Sequence, residues 1–433
     1  MSIHRPTALA TLLAATLTAG FSTAALAQSA YTMTVLSKPT GAYSFAPTTL
    51  DDQGVVRGAM YYKSGVKLIL PYFAFLPTYL YQAVSWSGAT ATAPATVGGK
   101  YLFPKLTNNS GWQVGPFTKT ADFAASMDPE IFPSGATLYG SSFRGANVHA
   151  PGSVGSTTML RKGTVDTDLS VLLAKSLGNS SAWGFKSMFS AKGMNNAGAI
   201  VGVFHRPVTL SDGAVGSVGT PLVFSNGTYT TLEVGPYQSL YPIDINDAGT
   251  VVGTVSLKDP VGANKHLPAL WVNQQLTTVG DVSLSRHKPL SINNAGQVLL
   301  VGDNGTSLTV SPYDFERQLR SSSMVWANNS VTPLVSPNND GVQATAMNDQ
   351  GTVVGCILSA SGPQTVDARP FIWKNGVLLD LTQEWASKGV SLPAGTRWGC
   401  PLAINNSGSV VTYHYTSALP YTAITWARIN AKP

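Results

Sequence analysis

Few side chains in this sequence are spaced for catalysis. The chain of 433 residues has only four glutamates. It contains no Gly-x-Ser-x-Gly elbow, His-Glu-x-x-His pair, phosphate-binding loop or Cys-x-x-Cys pair. Four histidines lie in or near connections of variable length, where only the folded chain could bring them together: His149, His205, His266 and His287. We therefore expect a protein with no catalytic residues and no cofactor.

One short segment is rich in aromatic side chains. Residues 70–82 include Tyr72, Phe73, Phe75, Tyr79 and Tyr81. Aromatic rings suit the apolar faces of sugars or a hydrophobic partner. Such clusters also occur in packed cores, so a strand pair covering the core is the alternative interpretation. These five residues are the candidate binding residues.

A second segment has the oxygen ligands that calcium prefers. Asp244-Ile-Asn-Asp247-Ala-Gly249 places two carboxylates beside a glycine turn. Most equivalent turns in the chain carry Asn-Asn instead, without that charge. A structural turn is the better interpretation, and no metal site is expected.

The two cysteines, Cys356 and Cys400, lie in consecutive repeats of the chain. In an oxidising compartment such a pair can form a disulfide between neighbouring units. Two small buried residues in β-strands are the equally good alternative.

The first 27 residues have the pattern of a secretory signal peptide. His4 and Arg5 precede an apolar stretch from Thr7 to Ala19, and Ala25-Leu-Ala27 supplies a small-x-small cleavage pattern. No later apolar run is long enough for a membrane span, and no cysteine follows the cleavage site for lipid attachment. We expect a secreted or periplasmic protein.

Composition favours strands and turns over helices. Only 11% of residues are charged, while 42 glycines and 27 prolines indicate many turns. The formal charge of +6 is spread along the chain without Lys/Arg runs. A nucleic-acid interface would concentrate that charge, so this class of partner is excluded. We expect a monomer.

Two phrases alternate along the chain, seven times each. The first joins an apolar residue, an Asn/Asp pair, a glycine and a Val-rich stretch. Its copies centre on Gly54, Gly111, Gly198, Gly249, Gly296, Gly351 and Gly408. The second phrase is a run of apolar residues that ends in an aromatic residue before a tight turn. Its copies end at Trp86, Phe224, Trp271, Trp326, Trp373 and Trp426, and Met159-Leu-Arg-Lys-Gly163 is its degenerate copy. Such regular recurrence indicates a repeat architecture.

Spacing supports this alignment of the copies. The same 25 residues separate each aromatic from the next motif glycine in four repeats: 86 to 111, 224 to 249, 271 to 296 and 326 to 351. The segment Ile131-Phe-Pro-Ser-Gly135 also resembles the first phrase and leaves the register of the second repeat open. Either register preserves the count of seven.

These residues resemble the bacterial extracellular repeat family called HAF. Its unit is similar to Ala-x-x-Ile-Asn-x-x-Gly-x-Val-Val-Gly followed by Ala-Phe-x-Trp-x-x-Gly, and the resemblance covers nearly all of the chain after the signal. The tripeptide that names the family survives only in fragments such as His266-Leu-Pro-Ala-Leu-Trp271 and Arg369-Pro-Phe-Ile-Trp373. The resemblance implies export and a repeated β-fold, and it supplies no catalytic residue.

The repeats predict an all-β fold, a seven-bladed β-propeller forming one domain over residues 28–433 with an insertion at about 115–158. Each unit supplies four strands. Pairing the first strand (Tyr31 to Leu36) with the last (Tyr421 to Arg428) would close the ring and remove an exposed edge. Strand alternation puts the tight turns on one face and the variable connections on the other, where binding residues tend to lie.

Three functions follow from this architecture. We expect an exported, non-catalytic binding scaffold that recognises a glycan or a protein through the variable face. The first alternative is a propeller-type polysaccharide hydrolase or lyase with carboxylates and histidines from several blades. The second is a structural cell-surface or matrix protein.

Overall fold

A computed structural model of the chain describes residues 31–69, 74–93, 100–119, 158–178, 181–182, 185–186, 188–211, 213, 215–258, 264–280, 282–303, 319–362, 365–416 and 424–431. Within these residues the chain forms seven antiparallel blades in a ring, as the repeats predict. The predicted signal peptide and the segment 131–135 lie outside the described residues, as does most of the predicted insertion.

In blades one and three to six, the first strand is innermost and each following strand lies farther from the axis; in blades two and seven the innermost strand is split into two short segments. Blade one contains β2 (Ser44–Leu50), β3 (Val56–Ile69), β4 (Ala74–Ser87) and β5 (Thr90–Thr92). Blade two contains β6 (Lys100–Leu102), β7 (Leu106–Thr107), β8 (Gln113–Lys119), β9 (Thr158–Lys162) and β10 (Val165–Asp168). Blade three contains β13 (Met188–Met194), β14 (Ile200–Thr209), β15 (Val215–Ser225) and β16 (Thr228–Thr231), after a small hairpin of β11 (Ser181–Ala182) and β12 (Phe185–Lys186).

The remaining blades repeat this order. Blade four contains β17 (Ser239–Ile245), β18 (Val251–Lys258), β19 (Asn264–Val272) and β20 (Gln275–Thr278). Blade five contains β21 (His287–Ile292), β22 (Val298–Asp303), β23 (Ser321–Ala327) and β24 (Ser330–Pro333). Blade six contains β25 (Gly341–Met347), β26 (Val353–Gly362), β27 (Thr365–Lys374) and β28 (Val377–Asp380).

Blade seven is built from both ends of the chain. Its strands are β29 (Thr396–Trp398), β30 (Ala403–Ile404), β31 (Val410–Thr416), β32 (Ile424–Ala431) and, outermost, β1 (Tyr31–Val35). The pairing of β1 with β32 is antiparallel, from Tyr31↔Ala431 to Val35↔Ala427. The predicted ring closure is therefore confirmed, with the last strand ending three residues later than expected.

Short helices occupy connections between blades. Helix α1 (Leu169–Leu177) follows blade two, a 3-10 helix (Val282–Arg286) follows blade four, and α2 (Leu381–Ser387) follows blade six. An aspartate caps each α-helix: Asp168 accepts from the Val171 N–H, and Asp380 accepts from the Thr382 N–H. No helix among the described residues is long and apolar enough to cross a membrane.

The core lies between the blades, where apolar side chains of neighbouring sheets face each other. Six of the interfaces contain clusters of seven or more buried apolar residues. The interface between blades one and two is thinner, with Ala46, Ala59 and Tyr61 packed near Phe103. Repeat tryptophans pack in these interfaces, and two of them donate their indole N–H to backbone carbonyls: Trp86 to Ser37 at 2.8 Å and Trp271 to Glu233 at 2.9 Å.

Both tight turns have the predicted conformations. The motif glycines adopt positive φ between 72° and 83°, a region that other residues adopt only with strain. After the aromatic residue, Asn226-Gly227 and Asn375-Gly376 also have positive φ at both positions, as a two-residue hairpin requires. In blade two the turn is Asn108 to Gly111, which settles the register of the second repeat.

A disulfide joins Cys356 and Cys400, whose Cα atoms are 5.4 Å apart. Cys356 lies on β26 of blade six, and Cys400 precedes β30 of blade seven. The bond therefore ties the blade that closes the ring to its neighbour.

Candidate functional site

The turn after each innermost strand holds its conformation through its first Asn or Asp. This side chain accepts a hydrogen bond from the backbone N–H four residues later, at 2.8–2.9 Å in all seven blades. The residues are Asp51, Asn108, Asn195, Asn246, Asn293, Asn348 and Asn405. Asn and Asp are common at the start of turns because their short side chains can bond nearby backbone groups in this way.

The same residues also link each blade to the next. Six side-chain amides donate to the backbone carbonyl of the corresponding residue in the following blade, at 2.9–3.2 Å. Asp51 has no amide to donate. Its carboxylate instead pairs with Arg57 at 2.6 Å, while Arg428 of the closing strand donates to the Gly54 carbonyl.

A second ring is formed by the residue that follows. Each backbone N–H donates to the side-chain Oδ1 of its counterpart in the next blade, at 2.7–3.1 Å, and the series closes from Asn406 to Asp52. We call this ring the Asx belt. It consists of Asp52, Asn109, Asn196, Asp247, Asn294, Asp349 and Asn406.

Carboxylates and amides alternate around the Asx belt. Each of its three aspartates accepts at Oδ2 from the amides on both sides, at 2.6–3.1 Å. No two carboxylates are neighbours. Because seven is odd, alternation fails once, and two amides meet at Asn109 and Asn196. The belt therefore spreads three negative charges so that each is solvated by two amides.

The Asx belt surrounds one mouth of the central channel, over a cavity of about 200 Å³. Below it lies a ring of mostly apolar side chains: Leu50, Thr107, Met194, Ile245, Ile292, Met347 and Ile404. Since every belt carboxylate accepts hydrogen bonds at both oxygens, the geometry suits linking the blades. No group of three or more metal-ligating side chains occurs in the part of the chain that the structure describes. Asp244 lies on β17, and Asp247 lies in the turn that follows, where its Oδ2 accepts from the amides of Asn196 and Asn294.

On the opposite face, one hairpin is longer than its equivalents within the residues that the structure describes. Strands β3 and β4 each have 14 residues, paired from Val56↔Trp86 to Ile69↔Ala74. The second strands of the other blades have six to ten residues. At about 3.3 Å per residue, β3 is longer than the longest of them by roughly 13 Å. We call residues 62–81 the blade-one arm.

The predicted aromatic residues fall on this arm. The backbone of Phe75, Tyr79 and Tyr81 belongs to β4, opposite Leu68, Lys63 and Tyr61 respectively. Tyr72 and Phe73 lie outside the described residues, between the two strands. Their role in binding remains a prediction.

The histidines are placed on different blades. His205 lies on β14 and His266 on β19, where its Nδ1 is 3.0 Å from the Ser256 hydroxyl. His287 is buried on β21, with Nε2 2.6 Å from the Ser322 hydroxyl. His149 lies outside the described residues. His205, His266 and His287 thus lie on three different blades, and no cluster of three or more metal-ligating side chains unites them within the described residues.

No sequence motif indicates a role for two lysines of the innermost strands. Lys105 and Lys192 occupy the same position in blades two and three, three residues before the turn. A column-by-column comparison of the seven repeats would have revealed both this pair and the alternation of the Asx belt.

No family model matches the sequence, and no curated protein matches it. Solved structures show similar folds. The β-propeller domain of the Trilobed protease from Pyrococcus furiosus is 11% identical, with a TM-score of 0.43, over 89% of this chain and 94% of that one. The polysaccharide lyase Uly1 is 10% identical, with a TM-score of 0.36, over 90% of each chain. Trypanosoma rangeli sialidase is 9% identical, with a TM-score of 0.32, over 92% of this chain and 57% of that one. The likeness at these identities extends to the fold alone.

Proposed function

We propose that this protein is an exported, non-catalytic binding scaffold that recognises a glycan through the blade-one arm. The observation that carries the proposal is the length of that arm, which projects from the face opposite the Asx belt. A two-stranded extension beyond a packed blade adds little core, so its length has a use outside the fold.

The sequence of the arm supports a sugar ligand. Positions 75, 79 and 81 are separated by even numbers of residues on one strand and therefore share one face of the hairpin. All three are aromatic. A row of rings on one face can stack on successive sugar units, whose C–H faces are apolar.

Other features support export and a ligand on this face. A disulfide such as Cys356–Cys400 is typical of proteins outside the cytoplasm, in agreement with the predicted signal peptide. The carboxylates of the Asx belt are fully engaged with their neighbours, so that face offers a ligand few free polar groups.

The test is a glycan-array screen of the purified full chain. The variant Phe75→Leu/Tyr79→Leu/Tyr81→Leu keeps apolar bulk but removes the rings. Its control, Leu76→Val/Leu80→Val, changes the other face of the same strand. We expect the leucine variant to bind the best glycan at least tenfold more weakly, about 1.4 kcal/mol, and the control to bind like wild type.

Other outcomes would reject the proposal. Equal losses in both variants would show that the arm has only a structural role. Unchanged glycan binding in the leucine variant would show that the three aromatic rings do not stack on the glycan. Release of shortened glycans during incubation would favour the hydrolase or lyase alternative.

A further inference from the structure

One position of the innermost strands differs in chemistry between blades. Three residues before each turn, five blades carry neutral side chains: Thr48, Ile243, Leu290, Thr345 and Leu402. Blades two and three carry Lys105 and Lys192 instead. In five blades the strand ladder skips this residue, which makes it a β-bulge. Two adjacent blades thus depart from the repeat at one place and with the same charge.

Side chains at this position reach toward the following blade. The Thr48 hydroxyl donates to the Pro104 carbonyl at 2.9 Å, and the Thr345 hydroxyl donates to the Pro401 carbonyl at 2.7 Å. Lys192 follows the same direction, since its Nζ lies 4.7 Å from the centre of the Tyr241 ring in blade four. Lys105 correspondingly reaches toward blade three, where Lys192 lies.

Both lysine side chains are partly buried. Burial, and then the nearby Lys192 charge, lower the pKa of Lys105 to about 8. Burial also lowers the pKa of Lys192. No carboxylate among the described residues forms an ion pair with either lysine. A pair of partly buried like charges opposes folding unless an anion compensates it.

The surroundings of Lys192 are open to solvent on one side. Tyr241 lies on β17, the innermost strand of its blade, between buried Leu240 and buried Pro242, yet its side chain is 46% exposed. Since this ring lies beside the Lys192 ammonium, a small ion in solvent can reach that group along the exposed side of Tyr241.

We propose that Lys105 and Lys192 form an anion-binding site beside the innermost strands of blades two and three, for a divalent oxyanion such as a sulfate or phosphate group. Two ammonium groups on neighbouring strands match its double charge, and Tyr241 covers one side of Lys192. The site is separate from the blade-one arm and does not depend on the proposed glycan binding.

The test measures anion binding directly on the full chain. Sodium sulfate and sodium phosphate are titrated by calorimetry, with sodium chloride at matched ionic strength as the reference. The variants Lys105→Thr and Lys192→Thr install the residue that blades one and six use at this position. Lys288→Thr, at an exposed position of β21, is the control.

We expect sulfate or phosphate to bind wild type and the control with equal affinity, and each variant to bind at least tenfold more weakly. The two titrations show which oxyanion is preferred. Removing a buried charge can change stability by itself, so thermal melting of each variant is compared with and without sulfate. Methionine at the same positions serves as the second variant if threonine prevents folding. Equal sulfate responses in all variants, or no response beyond that of chloride, would overturn the proposal.

Discussion

At the scale of single residues, each residue of the Asx belt has a role beyond its own turn. The amide of Asn406 donates to Asp52 and to Asp349, at 2.9 and 2.8 Å. The amide of Asn196 donates to one carboxylate, that of Asp247, at 2.9 Å. Whether a position carries Asn or Asp therefore depends on its two neighbours in the ring.

Replacing Asn406 by Asp tests this dependence. The substitution Asn406→Asp places three carboxylates side by side and removes two amide donors. We expect it to lower the free energy of unfolding at pH 7 by about 2 kcal/mol, allowing for screening at a half-buried site. Chemical denaturation at pH 7 and at lower pH measures this cost.

The pH dependence follows from the sign of the repulsion. Two flanking carboxylates would raise the pKa of the new carboxyl group above the usual value of about 3.9. Its ionisation then opposes folding, so the loss relative to wild type should shrink as pH falls and the group protonates. Asn196→Asp, with one carboxylate neighbour, should cost about half as much. Equal costs for the two substitutions would contradict the alternating belt.

At the scale of elements, the seven turns share a backbone but differ in their surroundings. Gly198 has φ of 83° and Gly249 has φ of 80°. A Cβ at Gly198 would lie 1.9 Å from the Trp112 ring, whereas a Cβ at Gly249 would meet nothing within 4 Å. The Lys162 Nζ atom also lies over the Trp112 ring, 3.6 Å from the ring centre.

Substituting Gly198 and Gly249 separately distinguishes the cost of backbone strain from the cost of disturbed packing. Gly249→Ala should cost about 1 kcal/mol, the price of the left-handed conformation alone. Gly198→Ala should cost roughly 1–3 kcal/mol more, because Trp112 must move. Urea denaturation of the two variants measures the difference. Equal losses would mean that Trp112 does not pack against this turn.

Much of the element structure could be predicted from local sequence. Glycine after an Asn/Asp pair and Asn-Gly after an aromatic residue require specific turns, and the turns delimit the strands. The length of the blade-one arm could not be predicted, because Ser64-Gly65 and Pro77, which normally indicate turns or strand breaks, lie inside its two strands. The helices α1 and α2 were also missed: their Asp caps were present, but the scarcity of glutamate argued against helices.

At the scale of the whole molecule, contacts between blades depend on ring geometry and are invisible to local reasoning. The sequence predicts each turn of the Asx belt but not the bonds from Asn405 and Asn406 to blade one, 354 residues away. Closure of the ring was predictable because the first and last strands of the chain are of the two types that pair within the internal repeats, and neither has a neighbour of the other type in sequence. The position of Lys105 beside Lys192 required the order of the blades as well.

The Asx belt and the central channel require a closed ring of blades, and one cross-link tests whether the ring is closed. Thr32 pairs with Asn430 in the β1–β32 register, close enough for a disulfide. In Thr32→Cys/Asn430→Cys, oxidation should give a monomer with an internal cross-link, identified by mass spectrometry of the linked peptides. The out-of-register pair Val35→Cys/Asn430→Cys, about 10 Å apart, should not link. Cross-links only between chains, or equal linking of both pairs, would contradict the closed propeller.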